Sequence, residues 1–168
     1  MKSILTISFF FVVGAVVLSA QDKKPLSPPM SLETTIEDTD ITIKYNAPSK
    51  RGRVIFGGLE DYDQVWRTGA NEATTITFGS NAKVEGKDIA AGTYSLFTIP
   101  GEDKWTVIFN KTAKQWGAYS YKQADDALRV VVTPKKNKEI VETMTFEAME
   151  DGIVLKWDDV MVPFEISK

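Results

Sequence analysis

The sequence predicts an all-β fold, a mostly antiparallel β-sandwich of about eight to ten strands that is jelly-roll-like or immunoglobulin-like. Three observations support this prediction. Apolar and polar residues alternate with a period of two along many short runs, which is the pattern of half-buried strands. Turn sequences that contain glycine, proline or asparagine separate these runs. No run of the mature chain shows the longer period of an amphipathic helix over more than a turn or two.

The residue types of each run support a strand. In the first run, Ile41, Ile43 and Tyr45 alternate with polar residues. The later runs are also short and rich in β-branched or aromatic residues, which favour a pleated, half-buried surface. The predicted strands are 41–46, 72–78, 94–99, 105–110, 128–132, 140–147, 153–157 and 160–166.

Two segments have the sequence of β-hairpins. In TIPGEDKWTVIF and FEAMEDGIVLKW, Gly101 and Gly152 supply the backbone freedom that tight reversals need. The predicted helical pieces are short and lie around 62–66 and 123–127.

The first thirty residues predict export. Residues 1–20 have an early lysine, an apolar core and a small-residue end at Ala20, which is the pattern of a signal peptide cleaved after that alanine. An uncleaved N-terminal anchor is the alternative; after cleavage no stable membrane span is expected. Residues 21–30, QDKKPLSPPM, predict an extended proline-rich leader, and residues 31–168 a single β-sandwich domain. Since the chain has no cysteine, it has no disulfide framework, and we expect a periplasmic or secreted bacterial protein.

The composition excludes several function classes. The net charge is −3, whereas a nucleic-acid-binding domain needs a basic face. Histidine is absent, which removes the usual general base, the usual zinc ligand and every Ser-His or Cys-His catalytic arrangement. We expect no cofactor and predict no metal ligands, with a calcium site on carboxylates as an open alternative.

The segment DYDQVWRTGANE, residues 61–72, is the first candidate site. Carboxylates stand at positions one, three and twelve of an EF-hand loop, but Trp66 occupies the sixth position, where that loop needs glycine. A different calcium site near Asp61 and Asp63 is one alternative. In another, Arg67 and Glu72 form an ion pair that fastens the loop to the sheet. In a third, Trp66, Arg67 and Asn71 bind a sugar or an anion.

The segment NKTAKQWGAYSY, residues 110–121, is the second candidate site. Trp116, Tyr119 and Tyr121 lie in a stretch with no clear period, so some of these rings are expected to line a surface. Exposed aromatic rings stack on the apolar faces of sugars. The alternative is a loop that folds over the sheet and seals its end.

Four segments, in this order along the chain, resemble those of a known protein family. RGRVIFGGLEDYDQVWRTGANEATTITF, AGTYSLFTIPGEDKWTVIFNK, QWGAYSY and LRVVVTP make the chain similar, over about 41–164, to the bacterial family called domain of unknown function 2911. The resemblance implies an exported, β-rich single domain with no established activity. The recurrent blocks of that family fall on Arg53, Gly57, Gly58, Trp66, Arg67, Gly69, Ala70, Asn71, Glu72, Gly92, Tyr94, Trp116, Gly117 and Tyr119.

Three functions remain open at this stage. The leading hypothesis is a non-enzymatic envelope or secreted domain that binds a glycan or a small anionic ligand at one sheet end. The second is a structural or protein-interaction module without a small-molecule site, and the third is a histidine-free glycan hydrolase that uses carboxylates. The candidate ligand-binding residues are Trp66, Arg67, Asn71, Glu72, Trp116 and Tyr119.

Overall fold

The computed structural model describes residues 25–168. Ten strands make up nearly all of its regular structure, and one 3₁₀ turn, Gln123–Asp125, precedes the eighth strand. The strands are β1 Pro29–Ile36, β2 Thr39–Asn46, β3 Thr75–Phe78, β4 Ala82–Val84, β5 Lys87–Ile89, β6 Gly92–Ile99, β7 Trp105–Asn110, β8 Asp126–Val132, β9 Lys135–Ala148 and β10 Gly152–Ser167. The predicted all-β class is confirmed. The predicted signal peptide lies outside the described residues.

The strands form two antiparallel sheets. The larger sheet has the order β1-β2-β3-β6-β7-β8, and the smaller has the order β5-β4-β10-β9. Both predicted hairpins exist: β6 pairs with β7 and β9 pairs with β10. Within residues 25–168, no helix has the length and apolar character needed to cross a membrane. The arrangement confirms an antiparallel sandwich.

The core between the sheets is centred on an aromatic cluster. The indoles of Trp66 and Trp157 stack with a centroid separation of 5.8 Å, and Trp105 packs edge-on against Trp66. Phe56 contacts all three indoles edge-on. Because buried aromatic side chains remove large apolar areas from water, this cluster joins the long β2–β3 connection to both sheets.

Several boundaries differ from the sequence prediction. Strand β1 begins at Pro29, inside the expected leader, because Pro29–Ile36 pairs along its full length with β2. A hairpin, β4–β5, occupies the segment that the sequence indicated as a turn. The two runs at 153–157 and 160–166 form one strand with a bulge at Asp158, where φ is +55°. The expected helical piece at 62–66 is a turn, since the backbone of Trp66 pairs with Thr98 instead.

A second, smaller core lies on the outer face of the larger sheet. Phe97 and Ile108 are cross-strand partners and fully buried, although their neighbours Leu96 and Phe109 point into the main core. The loop between β7 and β8 supplies Ala118 and Tyr121, among others, as the cover. Part of the outer face is therefore covered, and the uncovered part borders this loop.

Candidate functional site

The β2–β3 connection, residues 47–74, contains the first candidate segment and runs along the larger sheet. Trp66 exchanges two backbone hydrogen bonds with Thr98 of β6, at 2.7 and 2.9 Å. Its indole is 3% exposed, and Nε1 donates a 3.2 Å hydrogen bond to Gly69 O. Trp66 therefore packs in the main core, and its rings offer no stacking face to solvent.

Arg67 does not form the ion pair that one alternative predicted. Within residues 25–168, the salt bridges involve other residues and none joins Arg67 to Glu72. Arg67 Nε is buried and has no hydrogen-bond partner in this part of the chain. The charge of Arg67 acts on Glu60. Burial raises the pKa of Glu60 to about 7, and the nearby Arg67 guanidinium opposes this shift. The physical reason for the missing pair is that Glu72 is held elsewhere.

Glu72 is held against the second candidate segment by backbone pairing. Ala73 N donates to Gln115 O at 2.9 Å, and Gly117 N donates to Asn71 O at 3.0 Å. These bonds flank an antiparallel bridge between Glu72 and Trp116. In such a non-hydrogen-bonded pair the two side chains project on the same side, with Cβ atoms about 5 Å apart. The side chains of Glu72 and Trp116 therefore lie next to each other.

The aromatic side chains of this segment are exposed. Trp116 is 62% exposed and Tyr119 is 88% exposed. Gly117 between them has φ +64°, and a Cβ there would lie 2.8 Å from the Tyr119 ring. Glycine therefore permits both the left-handed backbone and the close position of the ring. The result is an exposed aromatic pair on one short turn.

A buried polar network fixes the loop that presents this pair. Asn110 is fully buried; its Nδ2 donates to Lys122 O at 3.1 Å and to Asp126 Oδ1 at 2.9 Å. Its Oδ1 accepts hydrogen bonds from Thr112 N at 3.1 Å and from Gln115 Nε2 at 3.0 Å. The side chain of Asn110 thus ties both ends of the loop to β7.

Tyr121 extends the same network. Its hydroxyl donates a 2.7 Å hydrogen bond to Asp126 Oδ2, while Arg129 Nε lies 3.2 Å from the same oxygen. Burial, together with the hydrogen bond to the Asp126 carboxylate, raises the pKa of Tyr121 to about 12. The hydroxyl therefore stays protonated and remains a donor at neutral pH.

An open groove lies beside the aromatic pair. Its volume is about 550 Å³, and Glu72 and Ala73 line it at the end nearest the loop. The floor is a cross-strand row in which Lys44 of β2 stands between Ser31 of β1 and Thr75 of β3. These floor residues project from the outer face of the larger sheet, because the alternate residues of β2, such as Ile43, are buried in the main core.

The structure thus brings together four of the six candidate residues. The bridge between the two segments places Asn71 and Glu72 beside Trp116, and Tyr119 follows on the same turn. Trp66 lies in the core, and of the six candidate residues Glu72 is the one that lines the groove.

Sequence reasoning missed the residues of the groove floor, Ser31, Lys44 and Thr75. Their signal was the polar half of the strand alternation, which marks an outer face but not a groove. In the described range 25–168, no group of three or more acidic, histidine or cysteine side chains is placed to hold a metal ion, so the acidic residues near Asp61 and Asp63 form no such cluster.

Comparison with known proteins gives one match. A family model described as "Protein of unknown function (DUF2911)" matches residues 27–166. No curated protein and no solved structure matches the chain.

Proposed function

This chain belongs to the DUF2911 family of proteins of unknown function, and we propose that it is an exported, non-enzymatic domain that binds a glycan. The binding site is the groove on the outer face of the larger sheet, with the indole of Trp116 as its stacking surface. The export step rests on the signal-peptide pattern of residues 1–20.

The observation that carries this proposal is the exposed indole of Trp116 next to the groove. A large apolar side chain that is 62% exposed gains nothing from burial in the folded protein. The bridge to Glu72 fixes its backbone, so little conformational entropy is lost when a ligand stacks on the ring. Sugars present apolar C–H faces together with hydroxyl groups. The groove has a polar floor, and the exposed Trp116 indole adjoins its Glu72 end, although Trp116 is not one of the lining residues.

The carboxylates favour binding over hydrolysis. Glycosidases use two carboxyl groups about 5 to 10 Å apart. Among the described residues that line the groove, Glu72 is the only acid. Of the other two acids considered for hydrolysis, Asp158 pairs with Lys50 and Asp159 pairs with Lys136, next to the smaller sheet.

The interaction-module hypothesis has a weaker basis. Strand β9 forms an edge of the smaller sheet and carries Ile140, which is 60% exposed. The same strand carries Lys135, Lys136 and Lys138, and lysines on an edge strand oppose pairing with another chain. The glycan site therefore has the better support.

The test is a binding titration with Trp116→Ala. Wild-type protein is titrated with a panel of bacterial envelope and plant cell-wall oligosaccharides, and binding is followed by calorimetry. We expect Trp116→Ala to weaken binding about tenfold or more, because the loss of one stacking ring costs on the order of 1–2 kcal/mol. Its urea midpoint is expected to stay unchanged, since the side chain is exposed.

Ile140→Ala is the matched control. Ile140 is as exposed as Trp116 but lies on β9 of the other sheet. This variant should bind as the wild type does. Equal binding by Trp116→Ala and wild type, or no binding of any glycan by the wild type, would overturn the proposal.

A further inference from the structure

We propose that the groove selects a zwitterionic glycan, one that carries a protonated amine and a carboxylate on the same or neighbouring sugars. This inference rests on the proposed glycan binding and adds the charge of the ligand. It follows from two opposite charges, Lys44 and Glu72, that line one groove without neutralising each other.

Lys44 supplies the positive charge. It lies on the outer face at the centre of the floor, between Ser31 and Thr75, and it is exposed. Across the described part of the chain, Lys44 takes part in no salt bridge within 4.0 Å. The hydroxyl residues Ser31 and Thr75 are the cross-strand neighbours of Lys44 and add hydrogen-bonding groups to the same floor. The floor is thus suited to a carboxylate.

Glu72 supplies the negative charge at the loop end of the groove. Its side chain projects beside the Trp116 indole and is exposed. Neither a salt bridge nor a side-chain hydrogen bond within residues 25–168 uses its carboxylate. A ligand amine that approaches Glu72 also meets the face or edge of the indole, and cations are attracted to the indole face. This end is thus suited to a protonated amine.

The register explains why the two charges stay apart. Lys44 is the cross-strand partner of Thr75, and Glu72 lies three residues before Thr75 along the chain. Glu72 lies before the first residue of β3 and pairs with Trp116 of the β7–β8 loop, so it is not part of the cross-strand row that contains Lys44. The groove therefore presents two separated charges of opposite sign, which a ligand with the inverse arrangement can satisfy together.

Selectivity follows from desolvation. A neutral glycan in the groove would remove water from both charges and return only hydrogen bonds of ordinary strength. A ligand with one charge would satisfy one end and leave the other uncompensated. A zwitterionic ligand replaces the lost hydration at both ends, so the discrimination arises largely from the penalty on the other ligands.

Four oligosaccharides that differ in charge test this inference with the full mature chain. They are an N-acetylglucosamine trimer, which is neutral, a glucosamine trimer, a galacturonic acid trimer, and a glucosamine–muramic acid disaccharide, which carries both charges. We expect the disaccharide to bind about tenfold more tightly than the neutral trimer at low salt, and the difference to shrink at high salt.

Two substitutions assign the charges. Glu72→Gln should remove the preference for the amine and keep that for the carboxylate, whereas Lys44→Gln should do the reverse. Glu33→Gln is the matched control: Glu33 lies on the neighbouring strand of the same face, opposite Thr42, and is not among the residues that line the groove. It should change neither preference.

The outcomes separate this inference from the function beneath it. If the neutral trimer binds as tightly as the disaccharide and Trp116→Ala abolishes both, the charge selection is wrong and glycan binding stands. If no probe binds the wild type, both proposals fail. A preference that survives both Glu72→Gln and Lys44→Gln would overturn the assignment of the charges to this groove.

Discussion

Replacing Asn110 by leucine tests whether the buried polar network holds the aromatic loop in place. Leucine has the branching of asparagine but no polar atoms, so the change removes hydrogen bonds without leaving a cavity, and its larger volume adds an overpacking cost. The side chain of Asn110 takes part in four hydrogen bonds, two donated and two accepted. All four are lost in Asn110→Leu.

The expected cost follows from which partners lose their last hydrogen bond. Gln115 Nε2 keeps its 2.7 Å bond to Thr112 O, and Lys122 O keeps the 3.0 Å bond from Asp125 N. Thr112 N and Asp126 Oδ1 have no second partner among the hydrogen bonds of residues 25–168. The Asp126 side chain is 6% exposed, so its unpaired oxygen costs about 1–3 kcal/mol, whereas Thr112 is exposed and its N–H can bond to water. Asn110→Leu should therefore lower the free energy of unfolding by about 2 kcal/mol through the lost hydrogen bonds.

Urea denaturation followed by circular dichroism measures this cost. Asn81→Leu is the control, since the exposed Asn81 side chain accepts one 2.9 Å hydrogen bond from Ala91 N and should cost less than about 1 kcal/mol. A loss of stability in Asn110→Leu no larger than that of Asn81→Leu would show that the Asn110 network does not stabilise the fold.

Two further predictions concern the neighbouring loops. Burial raises the pKa of Glu60 from 4.5 to about 7, so the folded state holds a proton that the unfolded state releases; this contribution to stability is complete below pH 4.5 and is lost as the pH rises through 7. As the pH rises from about 5 to about 8, the urea midpoint of the wild type should therefore decrease more than that of Glu60→Gln. Plots of urea midpoint against pH that run parallel for the two proteins would contradict this prediction. Gly117→Ala should cost about 1 kcal/mol because of its φ of +64° and should displace the Tyr119 ring; unchanged stability and glycan affinity would show that the turn tolerates a side chain.

Much of the fold was predictable because strand alternation is a local property. The run from Ile41 to Tyr45 shows its buried and exposed sides in the sequence itself, and Gly101 marks the turn between β6 and β7. The β4–β5 hairpin was missed because strands of three residues are too short to display a period. The segment around Trp66 was expected to be helical, but pairing with Thr98 and burial of the indole overrode local preference.

The candidate site was predictable in composition and not in arrangement. The order of residue types was enough to indicate the all-β class, the alternation that places Lys44 on an outer face, and the aromatic loop with Trp116 and Tyr119. Contacts between distant segments were needed to show that Trp66 lies in the core and that Glu72 pairs with Trp116 rather than with Arg67. Alternation depends on neighbouring residues along one strand and is therefore visible in the sequence. The Glu72–Trp116 bridge joins residues 44 positions apart, and no local sequence pattern indicates such a contact.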